Sequence, residues 1–261
     1  MPRPKKCIFC GGQPLSKEHL LGAWLTPTIV EARLTPPTGE RIIYIDDYRM
    51  VDGEIVRQNR RFVNNINLTV RCVCVPCNNG WMGDMEKEVK PIIESLLAGK
   101  YTLGQDDQIA LARWATKTAI IFRYHGSQEV PSMYLDWFYK HQTAPPNTFV
   151  WFGTYEGEGM ASIDLKDIFI LDAEGKRLSF PHAQFVVFTI GSVLIGIFIG
   201  FITNKSRIIP SELIRKHLRI IFPYENDVIW PLKPLDEPLR QALVETNWDG
   251  GFIVRPSPPT E

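Results

Sequence analysis

An excess of charge of one sign is missing from this chain. Over 261 residues, 29 Lys and Arg balance 29 Asp and Glu, for a net charge of 0. That excludes a general positive coat, so any nucleic-acid contact must rest on a local patch. Cysteine is scarce, with five residues, and none occurs after Cys77. The start, Met-Pro-Arg-Pro-Lys-Lys, is not followed by the apolar core of a secretory signal. With an odd cysteine count, this argues against a disulfide framework and for reduced thiols in a cytoplasmic setting. No internal repeat, glycine-rich phosphate loop or nucleophile elbow is present. Long apolar runs are lacking except at residues 183–202, whose length matches a bilayer span. The composition of that run is strand-like, and Gly191-Ser192 suits a two-residue turn. A buried hairpin is therefore expected, with a membrane span as the alternative.

What is present is a globular composition, 44% hydrophobic and 22% charged, and a constellation split between two distant stretches. The first holds Cys7-Ile8-Phe9-Cys10, closely followed by Ser16-Lys17-Glu18-His19. The second holds Asn67-Leu68 and then Cys74-Val75-Pro76-Cys77-Asn78-Asn79-Gly80-Trp81. Two Cys-x2-Cys pairs offer the four thiolates of a tetrahedral structural zinc site. Cys72 is the spare thiol. Its two readings are a small buried side chain and a ligand in place of Cys74. The remaining histidines, His125, His141, His182 and His217, have no partner at ligand spacing and are read as structural.

Apolar residues from Met82 to Leu97 recur at helical spacing, with Pro91 expected to kink the helix or start another. Residues 36–66 read as an insertion. It contains a hairpin around Asp52-Gly53 that carries Arg41, Arg49, Arg57, Arg60 and Arg61, either as a solvated face or as a phosphate-tracking arm. Further on, helices are expected at 106–124, 132–141, 211–219 and 235–245, and strands at 148–154 and 162–171. Trp114, Trp137, Trp151 and Trp230 are read as core.

At this point the residues resemble a family. Cys-x2-Cys, then Glu18-His19, then Asn67-Leu68 before a second Cys-x2-Cys followed by Asn78 and a helix, is similar to the HNH endonucleases. The string Ser16-Lys17-Glu18-His19 with Cys77-Asn78-Asn79-Gly80-Trp81-Met82 resembles bacterial and phage HNH-like proteins in particular. The resemblance covers about residues 7–98. It implies an α+β fold. An N-terminal ββα-metal, zinc-finger-like domain over 1–103, with the inserted hairpin, would be followed by a mixed helix and antiparallel-sheet region over 104–261.

The resemblance also implies an activity: metal-dependent hydrolysis of phosphodiester bonds in DNA. His19 would be the general base. Glu18 would be a ligand of a catalytic magnesium or manganese ion. Asn67 would orient His19 through its carbonyl. Asn78, standing where the family has a last histidine, would be a second ligand. Cys7, Cys10, Cys74 and Cys77 would hold structural zinc. Asn64, Asn65 and Asn79 are rivals for the two asparagine roles, and Glu86 is the nearest candidate for a third metal ligand, its other reading being a solvated surface residue. The alternative function is a non-catalytic zinc-stabilised module that binds nucleic acid or protein. Under either function, the C-terminal region is open to three roles: docking a protein partner, sensing a signal or contacting DNA.

Overall fold

The computed structural model describes residues 4–25, 27, 43–51, 54–63, 68–125, 130–146, 148–156, 161–167, 170–171, 177–178, 184–199, 206–210, 216–236, 238 and 252–256. Asn67 and its rivals Asn64 and Asn65 lie outside the described residues. So do the 36–39 turn, His182 and most of the helix expected over 235–245. The described chain is an α+β fold of three helices and mainly antiparallel sheets.

A short ribbon pairs β1 (Leu15–His19) with β4 (Thr69–Cys74), antiparallel, with an irregularity between Ser16 and Glu18. The chain then turns through Val75–Met82 into α1 (Gly83–Leu97). Met85, Val89, Ile92, Ile93 and Leu96 bury one face of α1, the three-four spacing of an amphipathic helix. Of the two expectations for Pro91, a second helix starting there is not met, since the residue lies inside this one helix. It lies on the exposed side, where water can satisfy the Lys87 carbonyl that loses its donor. The break falls earlier, at Gly80, whose φ of −89° and ψ of −119° are not helical.

β5 (Tyr101–Leu103) leads to α2 (Gln105–His125), the longest described helix. From Trp114 to Arg123 every residue of α2 is buried, because α1 and β4 pack on it as well as the sheet strands. Trp114 meets Phe188 edge-on, with ring centroids 5.8 Å apart. α3 (Ser132–His141) follows, ending at Gln142 in the left-handed region, φ 49°. The core is continuous from Cys7 and Phe9 through α1 and α2 to Ile195 and Trp230.

The main sheet has seven strands in the order β13 (Leu218–Phe222), β6 (Thr148–Thr154), β11 (Val193–Ile199), β10 (Gln184–Ile190), β7 (Ala161–Asp167), β2 (Ile43–Val51) and β3 (Glu54–Val63). β6, β7, β10 and β11 form its middle. The apolar run is thus a buried hairpin, with Ile190 opposite Val193 and Gly191 at φ 54° in the turn. Among the described residues no helix is long and apolar enough to cross a membrane. The inserted hairpin is present as β2 (Ile43–Val51) and β3 (Glu54–Val63). It is not a free ribbon: β2 pairs in parallel with β7, which makes β3 an edge of the main sheet.

Two expectations are corrected. Of the 211–219 stretch, residues 211–215 lie outside the described residues, 216–217 are helical, and 218–219 already belong to a strand. β13 (Leu218–Phe222) instead pairs with β6, where its β-branched residues complete the sheet. Trp137 is not core, being 36% exposed on α3, whereas Trp114, Trp151 and Trp230 are buried. The remaining described strands are β8 (Ile170–Leu171), β9 (Arg177–Leu178), β12 (Ser206–Pro210), β14 (Val228–Trp230), which pairs with β5, and β15 (Phe252–Pro256).

Gly153 sits in β6 with β11 on one side and β13 on the other. A methyl group there would meet the Leu218 side chain and lie 3.0 Å from the His217 carbonyl oxygen. Gly153→Ala is expected to destabilise the fold by about 1–3 kcal/mol through overpacking. Urea unfolding measures this, and an unchanged midpoint would show that β13 does not press on β6.

Candidate functional site

Each cysteine knuckle is shaped by its own backbone. After Cys7, the Gly11 N–H donates to the Cys7 carbonyl at 2.9 Å and the Cys7 N–H to the Gly12 carbonyl at 3.0 Å. Closing so tight a turn places Gly11 at φ 70°, which glycine adopts without a Cβ penalty. The Gly12 N–H points at the Cys10 sulfur, 3.4 Å away. The Ile8 N–H donates to the Cys72 carbonyl at 2.9 Å, so the first knuckle is laid against β4. The second knuckle starts at the end of β4 with Cys74 and closes on Cys77, one helical turn later, with Pro76 at the start of that turn.

The four sulfurs of Cys7, Cys10, Cys74 and Cys77 converge within 4.8 Å of one another, in an arrangement that could hold a metal ion. Cys10 and Cys74 are 3.4 Å apart and Cys77 and Cys10 3.5 Å. Cys7, Cys74 and Cys77 are buried and Cys10 faces solvent. Cys72 is buried but stands outside the quartet, so Cys74 takes the ligand position.

The electrostatics of the thiols are uneven. Burial pushes Cys77 and Cys74 up, and neighbouring sulfurs add to this. Burial also acts to raise Cys7, but backbone N–H groups of Cys10, Cys74 and Phe9 bring it below the usual thiol value. A bound dication would supply the positive charge that these crowded sulfurs lack, with release of protons. Phe9, Trp81 and Phe138 wall the cluster, with Phe9 and Trp81 edge-to-face at 5.2 Å.

Asn78 is a clamp between the helical turn and β1. Its Nδ2 donates to Ser16 Oγ at 3.0 Å and to the Lys17 carbonyl at 3.2 Å. A carbonyl can only accept, so the amide nitrogen must face β1, and Oδ1 is the end turned away. Ser16 in turn donates to the Val73 carbonyl at 3.2 Å.

Glu18 and His19 are neighbours on a strand, where successive side chains leave on opposite faces. Glu18 is the buried one and His19 is half-buried. The Glu18 carboxylate, expected to bind a metal, is instead bound by the Lys117 ammonium of α2 at 3.1 Å. The same ammonium reaches Glu86 of α1 at 2.8 Å. The Lys117 side chain is 0% exposed, that of Glu18 5% and that of Glu86 22%.

Burial opposes the charge on Lys117, yet the two carboxylates outweigh it and hold the ammonium above the usual lysine value. Glu18 is raised, first by burial and then by Glu86, against the pull of Lys117. One ammonium thus serves two carboxylates. Gly22 packs beside it: a Cβ there would collide with the Trp24 indole and lie 2.9 Å from Glu86 Oε2.

Lys117 escaped sequence reasoning, and Glu86 was read mainly as a surface residue. A signal did exist: a lone lysine inside Ala115-Thr116-Lys117-Thr118-Ala119-Ile120-Ile121, a stretch otherwise without charge. Of the other histidines, His217 is structural, its Nδ1 lying 2.8 Å from the Pro234 carbonyl oxygen, and His141 stacks on exposed Trp137 at 4.2 Å. Fold and site together define an α+β protein with a four-cysteine cluster suited to a metal ion. Comparison with protein-family models, curated proteins and solved structures finds no match to this chain.

Two outcomes follow. Purified protein is expected to carry about one zinc ion per chain, lost in Cys77→Ser together with cooperative unfolding. Elemental analysis and thermal melting check this, and a well-folded metal-free protein would remove the metal from the account. Lys117→Met is expected to cost about 3–5 kcal/mol, because it leaves buried carboxylate charge uncompensated. Adding Glu18→Gln should recover part of that loss in urea titrations, whereas strict additivity would mean that the two side chains do not interact.

Proposed function

We propose that the chain hydrolyses nucleic-acid phosphodiester bonds, with DNA as substrate, on an HNH-like finger held together by one structural zinc ion. The supporting observation is the convergence of the four sulfurs, which ties β1 to β4 and so holds His19 at the end of a braced strand. The donor set suits zinc. Four thiolates at about 2.3 Å from the ion make a tetrahedron with edges of about 3.8 Å, and closures of 3.4 and 3.5 Å need only a small outward adjustment. Zinc contributes folding energy and geometry there, not reaction chemistry.

Half-buried His19 takes a proton from the attacking water, the general-base role that a neutral imidazole performs. Asn78 positions β1 through its bonds to Ser16 and Lys17. Asn67 keeps its proposed role in orienting His19. The magnesium or manganese ion implied by the resemblance does not fit Glu18 as that residue stands, because its carboxylate is engaged by Lys117. The C-terminal region would contribute substrate or partner contacts, for which exposed Trp137 and Tyr139 on α3 are candidates.

That engaged carboxylate favours a second reading, a zinc-stabilised module that binds nucleic acid or protein without cutting. Plasmid cleavage assays with and without magnesium or manganese separate the two. Hydrolysis should fall by about 100-fold or more in His19→Ala. Cleavage that survives the substitution would remove His19 from the mechanism, and DNA retention without cleavage would establish the binding module.

A further inference from the structure

We infer that Glu18 and Glu86 form a two-carboxylate cation site whose resident cation is the Lys117 ammonium, so that the native chain takes no divalent ion between them. Three elements supply the site: β1 gives Glu18, α1 gives Glu86 and α2 gives Lys117. The ammonium lies 3.1 Å from one carboxylate and 2.8 Å from the other, with no exposed surface on the lysine side chain. This is the placement of a bound ion, except that the ion is tethered to the chain.

Tethering matters. A free metal ion is diluted or chelated away, whereas a side chain fixed on a packed helix is always at high local concentration. A magnesium or manganese ion would also need carboxylate oxygens at about 2.0–2.2 Å, space that the ammonium fills. Two cations cannot share that space in a low-dielectric interior. The other titratable groups acting on Glu18 do not change this: His19 follows it on β1, and Cys72 lies on the paired strand. Glu86 thereby gains a role, closing the site from the α1 side beneath Gly22.

The site accordingly has a latent ligand class, hard divalent cations, open only when the lysine is removed. Nothing in this inference requires that the chain hydrolyse anything, so binding rather than cleavage tests it. Zinc-loaded full-length protein is titrated with Mn2+, and free Mn2+ is followed by electron paramagnetic resonance. Native protein should leave the free signal undiminished at micromolar Mn2+. Lys117→Met should bind one Mn2+ per chain at least about tenfold more tightly than native protein, and Lys117→Met/Glu18→Gln should lose that gain.

Circular dichroism and zinc content report whether each variant is folded. If Lys117→Met alone is unfolded, Mn2+ should restore its structure while leaving Lys117→Met/Glu18→Gln unaffected, and failure to restore it overturns the inference. A folded Lys117→Met that binds no Mn2+ also overturns it. So does a native protein that binds one Mn2+ and loses it in Glu86→Gln, a variant that keeps the Lys117–Glu18 pair.

Discussion

The N-terminal unit depends on one constraint, the meeting of four sulfurs from opposite ends of a long excursion of the chain. β1 and β4 are five and six residues long, and their ladder is interrupted near Glu18. A two-stranded ribbon of that size is marginal on its own. Closing the loop from Cys10 to Cys74 costs further chain entropy, and gathering four thiolates is unfavourable without a cation between them. A metal ion reverses the sign of that last contribution. The Asn78 clamp, the aromatic wall of Phe9, Trp81 and Phe138, and the placement of His19 all presuppose that the ribbon is closed.

A second centre of charge governs how this unit meets the rest of the molecule. Lys117 comes from α2, beyond the border at residue 103 suggested by the sequence, yet its ammonium neutralises carboxylates on β1 and α1. The apolar core runs across the same border, and β5 pairs with β14 from near the far end of the described chain. A buried ion pair of this kind is weak evidence for stability, since a hydrophobic replacement can do as well. What it does is tie three elements together, since one side chain of α2 meets both Glu18 of β1 and Glu86 of α1.

How much of this was legible in the sequence depended on how local each signal was. Cys7, Cys10, Cys74 and Cys77 declared themselves by spacing, α1 by its apolar stripe, and the β10–β11 hairpin by Gly191-Ser192. The destination of the β2–β3 hairpin was not legible, because its pairing with β7 is a contact about 120 residues away in sequence, and strand order is not encoded locally. Residues 218–219, read as the end of a helix over 211–219, instead open the strand that closes the side of β6. Trp137 looked like core because an aromatic gives no local sign of which way its helix turns. Lys117 was hidden for the opposite reason: a lysine is ordinarily read as solvent-facing, and its partners lie on two other elements.

The parallel seam between β2 and β7 has a consequence for biosynthesis. A ribosome emits β2 and β3 well before the strand they must join, and Lys117 reaches the tunnel exit only long after Glu18 and Glu86 have left it. Until then the nascent chain carries an unmatched strand edge and two carboxylates without their counter-charge. Settling of each N-terminal piece before the next appears therefore cannot complete the β2–β3 hairpin or the Glu18–Glu86 site. The β2–β3 hairpin must wait about a hundred residues for β7, and Glu18 and Glu86 must wait for Lys117, before each reaches its final surroundings.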